Sequence, residues 1–223
     1  MSLRTLRKDL TGTPLIRVGI IDDHPMVVGG LISALATCDD ISVEAQAGSL
    51  RGAAELLARR DLDVVLLDVR VADGNALQAL AERTGATHPA VLVISTFSSP
   101  QYIAASIRYG AAGFLPKTVP ISRLLEAIRA VAAGQTIYAA EERGHRYVTL
   151  TPKERDVLRL AIGGFSNKEI GARIGTSRKT VEGHLSDIYE KYGITGGRTE
   201  LSVRAASEGW LEIQPPPKSR RRV

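Results

Sequence analysis

Residues 62–68 read Leu62-Asp63-Val64-Val65-Leu66-Leu67-Asp68, four consecutive apolar residues closed by a carboxylate. A strand with one wet face alternates apolar and polar residues, so an unbroken apolar run predicts a strand covered on both faces. Working outward, similar runs rich in Val, Ile and Leu stand at Ile16–Ile21, Ile41–Ala47, Ala90–Ser95 and Gly113–Leu115. Between them Met26–Ala36, Leu50–Arg60, Ala76–Thr84, Gln101–Tyr109 and Ile121–Ala133 carry helical spacing. Five strand–helix alternations, with the third strand at Leu62–Leu67, predict an α/β fold: a doubly wound, five-stranded parallel sheet. Gly134 is expected to end the last of these helices, and Gln135–Tyr147 reads as a connector.

From Thr149 onward the pattern is helical only, which predicts a second, small all-α domain. Thr151-Pro152 supplies an N-cap and a Pro at the first helical position, with Glu154 three residues after the cap. Ser166 repeats the device with Glu169, opening a helix over Asn167–Ile174. After Gly175-Thr176-Ser177 a third helix places Val181, Leu185 and Ile188 on one face. A fourth runs over about Arg198–Ser207 and closes at Gly209-Trp210-Leu211. The short Gly-containing turn between the second and third helices fits a helix-turn-helix, and on spacing alone it fits an ordinary helical bundle as well.

Composition narrows the function classes. The chain has 223 residues, 44% hydrophobic and 24% charged, as expected of a globular protein with a real core. Aromatic residues make up 4%, too few for a stacking surface on single-stranded nucleic acid. The single cysteine, Cys38, excludes a disulfide framework and a multi-cysteine metal site. Met1–Asp9 carries Arg4, Arg7 and Lys8 with no apolar stretch behind them, so no secretory signal is expected, and no apolar run is long enough for a membrane span. These features predict a cytoplasmic protein. The net charge of +5 is C-terminal: residues 1–147 hold 15 basic and 15 acidic side chains, residues 148–223 hold 14 and 9. Lys218, Arg220, Arg221 and Arg222 follow Pro215-Pro216-Pro217 and read as a solvated basic tail, with a mobile phosphate-attracting arm as the other reading.

In an open parallel sheet, ligands bind beyond the carboxyl ends of the strands, near the point where strand order reverses. Those ends carry Asp22-Asp23, Asp68, Ser95-Thr96 and Lys117. Any one of these is commonplace, since an Asp after a strand usually caps a helix or forms a turn. Together they are a constellation. Clustered carboxylates repel unless a cation balances them, and a hard, oxygen-ligated ion such as Mg²⁺ suits three carboxylates. A carboxylate can also attack phosphorus to give an aspartyl phosphate, with Lys117 offsetting charge and Ser95 donating a hydrogen bond. Asp73-Gly74 reads as a turn, and His24 and His88 read as loop residues outside any metal cluster.

The strings Val18-Gly19-Ile20-Ile21-Asp22-Asp23-His24-Pro25, Val65-Leu66-Leu67-Asp68-Val69-Arg70, Val91-Leu92-Val93-Ile94-Ser95-Thr96 and Gly110-Ala111-Ala112-Gly113-Phe114-Leu115-Pro116-Lys117 resemble the receiver domain of two-component response regulators. The resemblance implies a flavodoxin-like fold with Asp68 as phosphoacceptor. It implies Asp22, Asp23 and the backbone carbonyl of Arg70 as Mg²⁺ ligands, Ser95 and Phe114 as the moving switch pair, and Lys117 as phosphate partner. Val71-Ala72-Asp73-Gly74 departs from the proline-containing loop usual after the acceptor.

Leu150-Thr151-Pro152-Lys153-Glu154-Arg155-Asp156-Val157-Leu158, Ser166-Asn167-Lys168-Glu169-Ile170 and Ser177-Arg178-Lys179-Thr180-Val181-Glu182-Gly183-His184-Leu185 resemble the LuxR-type DNA-binding domain. With the receiver, the chain resembles a NarL/FixJ-family response regulator. This implies a sensor histidine kinase as phosphodonor, double-stranded DNA as target, and a homodimer formed on phosphorylation or on DNA. Lys179, Glu182, Gly183 and Ser186 would face the major groove, and Asn167, Lys168, Ser177, Lys179 and Thr180 stand where phosphate contacts are expected. The implied layout is a leader over 1–15, a receiver over 16–133, a linker over 134–148, a helix-turn-helix domain over 149–211 and a tail over 212–223. Two other classes compete with this reading. A dehalogenase-like phosphatase would need a second Asp two residues after Asp68, where Arg70 stands, and a receiver-bearing scaffold would bind protein in place of DNA.

Overall fold

The structure, a computed structural model, describes residues 15–83, 88–138, 147–211 and 213. The chain forms two compact units. In the first, the strands are β1 (Ile16–Ile21), β2 (Ile41–Ala47), β3 (Val64–Leu67), β4 (Arg70–Val71), β5 (Gly74–Asn75), β6 (Ala90–Ser95) and β7 (Gly113–Pro116). The helices are α1 (Pro25–Leu35), α2 (Leu50–Ala58), α3 (Leu77–Glu82), α4 (Pro100–Arg108) and α5 (Ile121–Ala132). Five strands form one parallel sheet in the order β2-β1-β3-β6-β7, as the alternation predicts.

All four residues of β3 are buried, so its unbroken apolar run meets helices on both faces. One face is a core of Val18, Ile20, Val64, Leu66, Leu92 and Ile94 packed with Leu31 and Leu35 of α1 and Leu124, Ile128 and Val131 of α5. On β1, Gly19 makes room: a Cβ there would stand 2.9 Å from the Leu62 side chain and 3.2 Å from that of Leu56. β3 is shorter than expected. Leu62 and Asp63 precede it, and Asp63 turns its carboxylate onto the Arg17 backbone N–H at 2.9 Å.

Two features depart from the expected alternation. β4 and β5 form a small antiparallel hairpin directly after Asp68, with the Ala72-Asp73 turn at its tip. Asp73 Oδ1 accepts the Leu50 N–H at 2.7 Å, so this turn also caps the approach to α2. The connector is not all loop. Ile137 pairs with Gly113 beside β7, its N–H donating to the Ala112 carbonyl at 2.7 Å. The rest of the connector from 139 to 146, the leader over 1–14 and most of the tail lie outside the described residues.

The second unit holds α6 (Pro152–Ile162), α7 (Asn167–Ile174), α8 (Arg178–Tyr192) and α9 (Gly197–Ser207). Both expected capping boxes are formed, Thr151 with Glu154 and Ser166 with Glu169. Gly175 takes the left-handed conformation at φ 68°, which lets the chain turn from α7 into α8. Gly171 allows that turn to lie close, since a Cβ there would stand 2.7 Å from the Thr176 carbonyl oxygen. The core comprises Val157, Leu158, Ile170, Val181, Leu185, Ile188, Leu201 and Trp210 among others. Ile213 corrects the expected tail. It is 1% exposed, its N–H bonds the Gly209 carbonyl, and its own carbonyl accepts from the Tyr147 hydroxyl at 2.7 Å. A lone apolar side chain beside a run of Pro reads as tail because no periodicity surrounds it.

Glu154 does more than cap. It is buried and takes the Lys191 ammonium on both oxygens, at 2.7 and 2.6 Å, tying α6 to α8. Burial pushes its carboxyl up, but Lys191 and the Thr151 N–H outweigh that and hold it below the usual range. A depressed carboxyl contributes stability above its unfolded value and loses it as pH falls through the folded one. Glu154→Ala is therefore expected to destabilise the unit by about 2 kcal/mol at pH 7, combining a lost cap and a lost partly exposed ion pair. Thermal melts from pH 7 to pH 3 should show the gap from wild type closing below about pH 4.5.

Among the described residues no helix is long and apolar enough to cross a membrane.

Candidate functional site

The sheet register sets the site. Ile21 of β1 stands opposite Leu67 of β3, so Asp22 and Asp68 leave neighbouring strands at one level. The Asp22 N–H bonds the Ala47 carbonyl and the Asp68 N–H bonds the Ile21 carbonyl, each at 2.8 or 2.9 Å. Between β1 and β3 the strand order reverses, so the two carboxylates flank the crevice that such sheets use for ligands. Ser95 of β6 pairs with Pro116 of β7, which delivers Lys117 to the same end.

Lys117 Nζ lies 2.5 Å from Asp68 Oδ2 and 2.6 Å from Asp22 Oδ2, and the Asp22, Asp68 and Lys117 side chains are 0%, 5% and 13% exposed. Burial raises the Asp68 pKa above the ordinary carboxylate value and the neighbouring Asp22 adds to this, against the pull of Lys117. Burial also works against the Lys117 ammonium, but its bonds to Asp22 and Asp68 prevail and raise its pKa. Lys117 is thus held charged between two acids. The other oxygen of Asp68, Oδ1, is buried with no hydrogen-bond partner.

Asp23 and His24 complete the rim. His24 Nδ1 stands 3.1 Å from Asp22 Oδ1 and 2.8 Å from Asp23 Oδ1. The sequence reading places His24 in a loop outside any metal cluster. The structure instead draws its ring onto the acidic pair, because Pro25 starts α1 at once and leaves the His24 side chain at the strand's mouth. One ligating atom from each of Asp22, Asp23, His24 and Asp68 falls within 4.8 Å of the others. A cleft of about 620 Å³ opens beside the pair, lined in part by Val28, Gly29, Gly48 and Ala72.

Ser95 is fully buried, and its Oγ accepts the Phe97 N–H at 3.0 Å. Phe114 is buried, 3% exposed. Arg70 is exposed at the start of the β4–β5 hairpin, its guanidinium 4.9 Å from the centre of the Phe97 ring. The structure therefore gathers Asp22, Asp23, Asp68 and Lys117 directly, while Ser95 ends β6, Phe114 lies within β7 and Arg70 opens the β4–β5 hairpin.

In the second unit α8 divides as the spacing predicts. Val181, Leu185, Ile188 and Tyr192 are buried, while Lys179, Thr180, Gly183 and Ser186 are exposed. Gly183 has open space where a side chain would be. Ser177 caps α8, its Oγ accepting the Thr180 N–H at 3.1 Å and meeting the Thr180 hydroxyl at 2.9 Å. Glu182 is paired with Arg178 at 2.8 Å, a neighbour that spacing alone did not single out. Lys168 is exposed. Asn167 is half-buried and accepts from Arg198 at 2.9 Å, so its side chain is committed inside the unit. Arg198 also donates to the Ala161 and Phe165 carbonyls, an anchoring role invisible without the fold.

Residues 18–129 match the response regulator receiver domain, and residues 148–205 match the luxR family of bacterial regulatory proteins. The chain is 34% identical over 195 residues to the transcriptional regulatory protein MctR of Rhizobium johnstonii, covering 83% of this chain and 91% of MctR. The chain belongs to the NarL/FixJ-type response regulators. A second such regulator, DesR of Bacillus subtilis, is 31% identical over 201 residues, covering 89% of this chain and 100% of its own. Among solved structures, the response regulator RcsB of Salmonella enterica serovar Typhimurium, bound to promoter P1flhDC with the phosphomimetic BeF3-, aligns at a TM-score of 0.65. It is 21% identical over 89% of this chain and 98% of that one, a likeness of fold. This response regulator thus joins a receiver to a LuxR-type DNA-binding domain and acts in transcription regulation.

Proposed function

We propose that Asp68 accepts a phosphoryl group from a sensor histidine kinase and that this changes how the α8 face engages double-stranded DNA. The observation that carries the reading is the buried Asp68 carboxylate, one oxygen on Lys117 and the other without a partner beside Asp22 and Asp23. That unmet oxygen and the three carboxylates fit Mg²⁺, which Asp22, Asp23, Asp68 and the Arg70 carbonyl would hold. When bound, the ion offsets negative charge on the phosphoryl oxygens.

The protein's own steps follow from the geometry. A carboxylate oxygen of Asp68 forms a bond to phosphorus as the bond to the donor's histidine nitrogen breaks. Lys117, already charged, leaves its carboxylate partners for the new phosphoryl oxygens. The product carries about −1.5 to −2 charges in a nearly dry pocket. Ser95 then gives up the Phe97 N–H to donate toward the phosphoryl group, and Phe114 moves into the space released. The reaction is a switch in the chain itself, so the protein is a regulator and not an enzyme. Arg70 supports this, standing where a dehalogenase-like phosphatase needs its second Asp.

For DNA, the exposed face of α8 offers Glu182, Gly183 and Ser186 to base edges and Lys179, Thr180 and Ser177 to phosphates at the groove. Lys168 at the α7 start adds a phosphate contact, and Asn167 adds its backbone N–H at that helix N-terminus while its side chain holds Arg198. The Arg178–Glu182 pair is a surface pair that DNA can open at little cost, freeing Arg178 for phosphate and Glu182 for a cytosine amino group. A homodimer formed on phosphorylation or on DNA would supply the affinity that a nearly neutral unit lacks. The working boundaries are a receiver over 16–133, a linker over 134–148, and a DNA-binding domain over 149–211 whose last packed residue extends to Ile213. Residence in the cytoplasm follows from the kinase and DNA partners.

The test is footprinting on promoter fragments with Mg²⁺, with and without beryllofluoride. Protection of discrete sites should strengthen at least tenfold with beryllofluoride, and Lys179→Ala should weaken all sites and lower the salt dependence by about one charge. Binding of a protein partner with no DNA protection at low salt would support the scaffold reading.

A further inference from the structure

We propose that His24 is itself a ligand of the pocket's cation, so that the site takes a borderline first-row ion such as Co²⁺ or Zn²⁺ through an imidazole nitrogen as well as Mg²⁺ through oxygen. The inference rests on the reading of the acidic pocket as a cation site and adds a donor atom to it.

His24 occupies the N-cap position of α1 but makes no cap bond with its side chain. Its ring instead lies over the acidic pair, with Nδ1 between Asp22 Oδ1 and Asp23 Oδ1 at 3.1 and 2.8 Å. The backbone holds it there: the His24 N–H donates to the same Asp22 oxygen at 2.9 Å, and Pro25 follows immediately. The pocket is two-sided. Lys117 takes the Oδ2 atoms of both Asp22 and Asp68. Asp22 Oδ1 faces the imidazole, and Asp68 Oδ1, on a side chain 5% exposed, has no hydrogen-bond partner. A buried acceptor without a partner is costly, and it marks a place where a positive group belongs. One atom from each of Asp22, Asp23, His24 and Asp68 lies within 4.8 Å of the rest, a space that a single ion can bridge.

A cation in the pocket would lie beside Asp22 Oδ1 and Asp23 Oδ1 and meet the Nδ1 lone pair there. The chemistry of the set then decides the ion. Mg²⁺ keeps waters and prefers oxygen, and gains little from a nitrogen. Imidazole suits Zn²⁺, Co²⁺ and Ni²⁺, which bind mixed nitrogen and oxygen sites more tightly than Mg²⁺. With the His24 side chain 64% exposed, the ring can adjust to the ion while the outer face stays open to water or a phosphoryl oxygen.

The experiment uses the full, untagged chain, with Co²⁺ and Mg²⁺ added in separate calorimetric titrations. His24→Asn keeps a residue suited to start α1, and His24→Ala guards against an amide oxygen replacing the imidazole. Both variants are expected to lose about tenfold or more in Co²⁺ affinity, in the range that shell residues control, and to keep Mg²⁺ affinity within about twofold. In the Co²⁺-loaded wild type, proton NMR should show a ring N–H moved far downfield by direct coordination. That signal should be missing from both variants and retained in His88→Asn. Equal losses for the two ions, or no contact-shifted ring N–H, would overturn the role of His24 while leaving the pocket a cation site. Failure of the wild type to bind either ion would overturn both readings.

Discussion

Asp68→Asn is expected to take up no phosphate from acetyl phosphate and Mg²⁺, where the wild type gains one phosphoryl group by intact-mass measurement. The amide offers no anionic oxygen to form the bond to phosphorus, and neither Asp22 nor Asp23 stands in its place. Asp22 already faces Lys117 and His24, and Asp23 lies at the rim with a quarter of its side chain exposed. The same substitution should stabilise the metal-free protein. Burial raises the Asp68 pKa, so its proton-bound form is the one the fold prefers. Such a group adds stability below the ordinary carboxylate value, and that contribution is lost as pH rises through the folded value. At neutral pH the ionised side chain is therefore a cost, and a neutral side chain of the same shape removes it. Melts in EDTA should place Asp68→Asn above wild type by about 1 kcal/mol at pH 7, the lower end of what an unmet buried acceptor costs. The gap should shrink on acidification, and added Mg²⁺ should close it by stabilising the wild type alone. Phosphate uptake by the variant equal to that of the wild type would move the acceptor elsewhere and remove the basis of the proposed switch.

The parts of this fold that could be read from residues alone are those whose cause is local. Ile16–Ile21 and Ala90–Ser95 are strands over the very residues expected, because a strand between two helical layers needs apolar side chains at nearly every position. Ile41–Ala47 is a strand over the expected residues as well, but at the sheet edge, where Ser42, Glu44 and Gln46 alternate with Ile41, Val43 and Ala45. The starts of α6 and α7 were legible since a capping box lies within four residues of sequence. The convergence of Asp22, Asp68 and Lys117 followed from parallel topology, which puts all strand ends on one side. What could not be read depends on partners distant in sequence or on elements too short to show a period. The β4–β5 hairpin has two residues per strand. Glu154 finds Lys191 from 37 positions away, and Asn167 finds Arg198 from 31. Neither pairing has a signal along the chain. From sequence His24 reads as a loop histidine because its partners are the carboxylates immediately before it, and adjacency says nothing of where a ring turns.

Trp210→Ala is expected to abolish DNA binding at 37 °C while leaving phosphate uptake on Asp68 intact. Trp210 is fully buried, and its ring stacks on Tyr192 of α8 with centres 3.7 Å apart and planes 12° apart. Its Nε1 donates to Glu208 at 2.8 Å, and Arg204 of α9 lies over the ring at 5.3 Å. One side chain therefore joins the end of α8 to the end of α9. Truncating a buried Trp costs about 3–5 kcal/mol, and a domain of this size holds little more than that in total. The core of the sheet unit includes none of these residues, so its pocket should still form. Trp210→Phe keeps a stacking ring and loses the Glu208 bond, a cost of about 1 kcal/mol that should weaken melting without ending DNA protection. Because Trp210 is the one tryptophan in the chain, its fluorescence reports this unit alone. In the wild type, the fluorescence transition on heating should coincide with the loss of DNA protection. Full DNA affinity in Trp210→Ala, with an unchanged melting temperature, would mean that the α8 surface is held by contacts other than the stack at its end.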